Sequence, residues 1–156
     1  MTTTTRMQRH IKAPRPQVYH ALIDPQAVAT RMVPDGMTSH VHEFAAQVGG
    51  RFRISLTYTA PTATGKTSAQ TDTYHGHFVN LVPDEQVVEV MAFETADPTM
   101  QGEMTVTFTL RDVDGETALL AVHDNVPSGI APADNELGWR MSLDKLAALV
   151  EGKQGQ

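Results

Sequence analysis

The spacing of apolar residues changes twice along the chain, and the changes predict its elements. Met7, Arg9 and Ile11 alternate with Gln8 and His10, a weak strand signal that Ala13-Pro14 ends. Pro14, Pro16, Val18, Tyr19, Ala21 and Leu22 predict a short helix with its prolines in the first turn. Asp24-Pro25 breaks it, and Gln26 to Met32 predicts a second short helical piece, stopped before Pro34-Asp35-Gly36. From there the two-residue period dominates. Val41 to Ala45 precedes the Gly49-Gly50 turn signal. In Arg51 to Thr59, Phe52, Ile54, Leu56 and Tyr58 share one face, opposite Arg53, Ser55 and Thr57. Thr73 to Val82 and Gln86 to Thr95 flank Pro83-Asp84-Glu85. In Gly102 to Arg111, Met104, Val106, Phe108 and Leu110 alternate with three threonines, the pattern of a half-buried strand. Asp114-Gly115 marks a hairpin turn before a last strand, Thr117 to His123.

The final segment changes period. Trp139, Leu143, Leu146 and Val150 fall at i, i+4, i+7 and i+11, one face of a helix. Asp134 and Glu136 lie near its start, where the helix dipole favours negative charge. Lys145 and Lys153 lie towards its end, which Gly152 can close. The predicted order is strand, two short helices, six strands, long helix. Thr57 to Thr73, charge-poor with Pro61 and Gly65, reads as a long hairpin connection rather than a domain boundary.

Composition narrows the function classes. A length of 156 residues suits one domain with one core, and 40% hydrophobic with 19% charged residues is an ordinary globular balance. Twelve basic against 18 acidic residues give a formal charge of −6, which argues against a nucleic-acid partner, since phosphates demand a basic stripe. The absence of cysteine excludes disulfides, thiolate nucleophiles and Cys-type zinc sites. Met1 to Arg6 lacks an apolar h-region, and no run of 18 apolar residues occurs. A cytoplasmic protein with no membrane insertion is the default expectation.

Four segments, in order, carry a resemblance to a known superfamily: "IKAPRPQVYHALIDPQAV" (Ile11 to Val28), "VGGRFRI" (Val48 to Ile54), "YHGHFVNLVPDEQVV" (Tyr74 to Val88) and "NELGWRMSLDKLAALVE" (Asn135 to Glu151). Together they resemble the START-like (SRPBCC) superfamily, and within it the bacterial homologues of the activator of heat-shock-protein-90 ATPase. The resemblance implies one START-like domain over residues 1–156, of α+β class and helix-grip fold. A seven-stranded curved antiparallel sheet would surround a long C-terminal helix, with two short helices after the first strand. Where those homologues usually carry an Asp and an Arg before the Gly-Gly turn, this chain has Ala45 and Gln47.

The resemblance also implies a cavity between the concave face of the sheet and the last helix, used by relatives for lipids, sterols, hormones or polyketides. Trp139, Leu143, Leu146, Val106, Phe108 and Leu119 are expected to line it. His123 shares a strand face with Thr117, Leu119 and Ala121 and is expected at the cavity mouth as a polar group; a strand-end histidine with a capping role is the simpler reading. Seven of the eight methionines, Met7, Met32, Met37, Met91, Met100, Met104 and Met141, suit an adaptable apolar cavity, and equally an ordinary core.

Other chemistry is thin. His40-x-His42 and His75-x-His77 each put two imidazoles on one strand face. Zinc needs about 2.0–2.1 Å to each nitrogen, and a strand between the pairs would hold them roughly 10 Å apart. No metal and no cofactor are expected. Ser128 lacks the G-x-S-x-G context, Gly49-Gly50 lacks the Lys-Ser/Thr of a phosphate loop, and Asp112, Asp114 and Glu116 read as a solvated turn. Binding of a small apolar molecule is the preferred function. The alternatives are an enzyme of cyclase, dehydratase or hydrolase type using His123, Tyr74 or Tyr58 as acid–base groups, and a protein-interaction module or chaperone regulator. A second copy of the chain is kept among the candidate partners.

Overall fold

The computed structural model describes residues 3–31, 37–58 and 71–151. The long connection expected between Thr57 and Thr73 falls, over residues 59–70, outside the described residues. So do residues 32–36, which include Pro34-Asp35-Gly36, and the helix-closing Gly152 with Lys153.

The first strand, β1 (Thr3–Ile11), runs into α1 (Arg15–Ile23) and α2 (Pro25–Arg31). Pro14 caps α1 and Pro16 sits in its first turn, where a missing N–H leaves no gap. Asp24 then acts twice. Its extended backbone ends α1, as a residue before proline favours. Its Oδ2 accepts from Ala27 N at 2.9 Å, capping α2, whose first residue is Pro25.

Six strands follow: β2 (Met37–Phe44), β3 (Arg51–Tyr58), β4 (Thr71–Val82), β5 (Gln86–Phe93), β6 (Met104–Val113) and β7 (Glu116–Val126). All pairs are antiparallel, in the order β1-β7-β6-β5-β4-β3-β2. Asp114 and Gly115 both have positive φ (53° and 83°), the twist that a two-residue hairpin requires, and they set Val113 opposite Glu116. At the other end of the meander Gly49 N donates to Phe78 O at 2.7 Å and Phe78 N to Gly50 O at 2.9 Å. A side chain on Gly50 would overlap the Ala45 carbonyl.

The inward face follows the alternation read from the sequence. Phe52, Ile54 and Leu56, then Met104, Val106, Phe108 and Leu110, then Thr117, Leu119, Ala121 and His123 are all buried. The last helix, α3 (Pro132–Glu151), buries Trp139, Leu143, Leu146 and Val150, with Ser142 and Ala147 beside them. It packs against β1, α1 and α2. The result is the helix-grip fold: a seven-stranded antiparallel sheet, a C-terminal helix across it and two short helices after the first strand. Among the described residues no helix is long and apolar enough to cross a membrane.

Several boundaries differ from expectation, β7 for one running on to Val126 past His123, and two strand starts differ by four residues. β1 begins at Thr3, where the sequence suggested Met7, because β-branched threonines suit an extended edge strand and Thr3 already faces Val126. β2 begins at Met37 rather than Val41, since its pairing with β3 starts at Met37 opposite Tyr58.

Candidate functional site

The helix is seated at one end and borders a cavity at the other. Leu143, Leu146, Ala147 and Val150 join Val18, Ala21, Leu22 and Ile11 in one buried cluster, so the second half of α3 rests on the corner made by α1. Its first half has no such corner beneath it. There a cavity of about 290 Å³ opens between the helix and the sheet.

The sheet wall of the cavity is built from Leu56 of β3, Asp72 and Tyr74 of β4, Glu89, Met91 and Phe93 of β5, Met104 and Val106 of β6, and His123 of β7. Ile130 and, from α3, Asp134, Asn135, Gly138, Trp139, Met141, Ser142 and Lys145 complete it. Of the residues expected to line it, Trp139, Val106 and His123 do. Leu143, Leu146, Phe108 and Leu119 point inward but pack into the solid core, because the helix closes on them where it is seated. Phe108 touches the cavity indirectly, its ring edge-on to Trp139 at 5.7 Å between centroids.

His123 differs from expectation in depth. It is 7% exposed, set in the inner wall rather than at the mouth. Trp139 Nε1–H donates to its Nδ1 at 3.0 Å, and Asn135 Nδ2 lies 3.2 Å from the same atom while donating to Thr5 Oγ1 at 2.9 Å. An indole nitrogen only donates, so Nδ1 carries no proton and the neutral ring carries its proton on Nε2. Nε2 faces Met104 Sδ at 3.2 Å. Burial pushes the His123 pKa down to about 4, against a smaller opposing effect of Asp124. The ring is therefore neutral at physiological pH. Its lone pair is taken up by Trp139, which leaves it poorly placed as a base and well placed as a donor.

The carboxyl groups of Asp72 and Glu89, 2% and 8% exposed, were not anticipated in the cavity, nor were Asn135 and Ser142. For Glu89 the signal was present: it shares the inward parity of Val87, Met91 and Phe93 on β5. Of the acid–base candidates, His123 and Tyr74 reach the cavity, and the Tyr58 side chain lies outside the described residues.

His40 and His42 lie on the edge strand β2 and His75 and His77 on the interior strand β4, with β3 between them. His42 Nε2 is 2.8 Å from Ser55 Oγ. Burial and the neighbouring His40 lower the His42 pKa. His75 Nδ1 pairs with Glu94 at 3.0 Å. Glu94 also takes a two-pronged contact from Arg53 at 2.8 and 2.9 Å, which holds its carboxyl down to about 2. Among the described residues no three His, Asp or Glu side chains gather to hold an ion.

Comparison with known proteins places this geometry. The sequence profile described as Activator of Hsp90 ATPase homolog 1-like protein matches residues 12–151. A solved Chromobacterium violaceum protein is 34% identical over 95% of this chain and 96% of its own, with a TM-score of 0.85. The fold alone is shared with a Rhodobacter sphaeroides protein, 18% identical over 97% of this chain and 94% of its own, TM-score 0.79. It is shared too with an AHSA1-like protein from Aeromonas hydrophila, 19% identical with the same coverages and a TM-score of 0.72. Among curated proteins none matches the sequence.

Proposed function

The chain belongs to the Activator of Hsp90 ATPase homolog 1-like family of the START-like (SRPBCC) superfamily, and on that premise we propose that it binds a small, largely apolar molecule in the cavity beneath the first half of α3. The observation that carries this reading is the largely apolar cavity between α3 and the sheet. Leu56, Met91, Phe93, Met104, Val106 and Trp139 surround an opening of about 290 Å³, near the lower end of the ~300–1,000 Å³ of small-molecule pockets. The few polar groups, His123 foremost, give such a ligand an orientation. Catalysis by His123 is the weaker use of the same space, because its Nδ1 lone pair is held by Trp139 and burial keeps its ring neutral. A cytoplasmic setting and a partner other than nucleic acid belong to the same proposal, and the formal charge of −6 supports the second.

Trp139 is the only tryptophan, so its emission reports on the cavity. Titration with N-phenyl-1-naphthylamine, a neutral apolar fluorophore, is expected to quench that emission saturably by energy transfer. Gly138→Phe supplies the control: a Cβ at Gly138 meets nothing within 4 Å, so a large side chain can enter the mouth without disturbing the core. Loss of the saturable quench in Gly138→Phe, with the circular dichroism unchanged, supports the reading. Failure of the wild-type protein to respond, together with native mass spectra free of any co-purified small molecule, rejects it.

A further inference from the structure

The polar corner of the cavity has a direction, and that direction discriminates between ligands. Nδ1 of His123 is closed off by the indole N–H of Trp139. The proton on Nε2 therefore faces the cavity wall formed by Met104, whose sulfur lies 3.2 Å away. Both side chains line the opening. A thioether is a weak acceptor, so a buried N–H is left with most of its hydrogen-bonding capacity unspent beside an apolar space. Burial lowers the histidine pKa to about 4, which keeps the ring in this neutral, donating form.

We propose that His123 Nε2–H is a specificity-determining donor for an acceptor oxygen on the ligand, so that the cavity selects apolar molecules carrying a ketone, ester or ether oxygen over hydrocarbons of the same shape. Met104 Sδ holds the donor's place until the oxygen arrives. An anionic oxygen is disfavoured: Asp72, Glu89 and Asp134 line the same cavity with a single lysine, Lys145. A neutral oxygen meets the donor without adding to that acidic wall. The proposal rests on the ligand-binding reading and adds to it the chemical class of the ligand.

Acetophenone and α-methylstyrene test it, because both branch at the same trigonal carbon and differ only in a carbonyl oxygen for a methylene group. Isothermal titration calorimetry gives the ratio of their Kd values for the wild type, His123→Leu and Met104→Leu. Taking the ratio between probes cancels changes in packing common to both. One net hydrogen bond corresponds to a preference of about three- to tenfold. The preference for acetophenone is expected to fall by that factor in His123→Leu and to rise at least about twofold in Met104→Leu, where the competing sulfur is gone. Long-range 1H–15N NMR of the wild-type ring is expected to show a bare Nδ1 and a protonated Nε2 at pH 7. This measurement and Met104→Leu decide the matter should His123→Leu fail to fold. Binding of both probes with a ratio unmoved by either variant, or a ring protonated on Nδ1, overturns the donor role while leaving the binding cavity standing. Failure of both probes to bind the wild type at millimolar concentration brings down the cavity reading and this proposal together.

Discussion

The Thr117 hydroxyl donates to the Ala13 carbonyl at 2.7 Å, and both residues are wholly buried. The bond joins the start of β7 to the corner where the chain leaves β1 for α1. Thr117→Val keeps the shape and removes the donor, leaving a buried carbonyl without this bond. It is expected to lower unfolding free energy by about 1–3 kcal/mol, measured by urea denaturation with an unchanged m-value. A loss near zero would mean that the corner is held by packing alone.

Gly76 fixes the approach of β4 to its neighbours. A Cβ there would overlap the Val90 carbonyl oxygen and lie 2.8 Å from both Met91 Cα and the Phe52 ring. Two of those obstacles are backbone, which cannot swing aside. Gly76→Ala is expected to destabilise by about 3 kcal/mol, at the upper end for overpacked cores, and to drop Tm accordingly in a calorimetric scan.

Gly138 has the opposite sign. It sits inside α3 with open space where a Cβ would go, and glycine in a helix interior is less favourable than alanine by about 0.5–1 kcal/mol. Gly138→Ala is expected to raise stability by that amount in chemical denaturation. A destabilised variant would show that the helix must deform at this residue.

Acid should weaken the fold in a window set by His123. Its folded pKa lies at about 4, below the ordinary 6.5, so the unfolded chain takes up the proton first. Above pH 6.5 both states are neutral and the stability is intact; it is lost as pH falls from 6.5 to about 4. At about 1.4 kcal/mol per pH unit the loss reaches roughly 3 kcal/mol. His123→Gln, which keeps an acceptor for Trp139, should flatten this slope in denaturation curves taken across the window. Glu94, lowered to about 2 by Arg53 and His75, adds its own loss only further into acid.

The sheet and the final helix were legible in the chain because alternation and the 3.6-residue period leave direct marks. Met104 to Leu110 and Trp139 to Val150 announce their buried faces. The cavity was legible only in part. Leu143 and Trp139 lie on the same predicted stripe, yet one packs solidly and the other borders a space. What separates them is the corner of α1 under one half of α3, a tertiary contact that no local period encodes. Glu89 stands on an inward-facing parity, but a carboxylate is rarely buried, so its residue type points to solvent where its position points to the cavity. The bond from Trp139 to His123 joins two elements whose relative setting the sequence does not state.

The strand order β1-β7-β6-β5-β4-β3-β2 also sets a schedule for assembly. Strands β2 to β7 each pair with the strand next to them in the chain, so each pair can form as soon as its second strand has been made. β1 precedes the other strands in the chain, yet among the described residues it pairs with β7 alone, and the seat it shares with α1 and α2 waits for α3. The nascent chain therefore holds a threonine-rich strand unpaired until β7 is made. Closing that long loop costs entropy before the β1–β7 contacts repay it, and the polar outward face of β1, Thr4, Arg6, Gln8 and His10, suits a segment that stays in water until β7 is made.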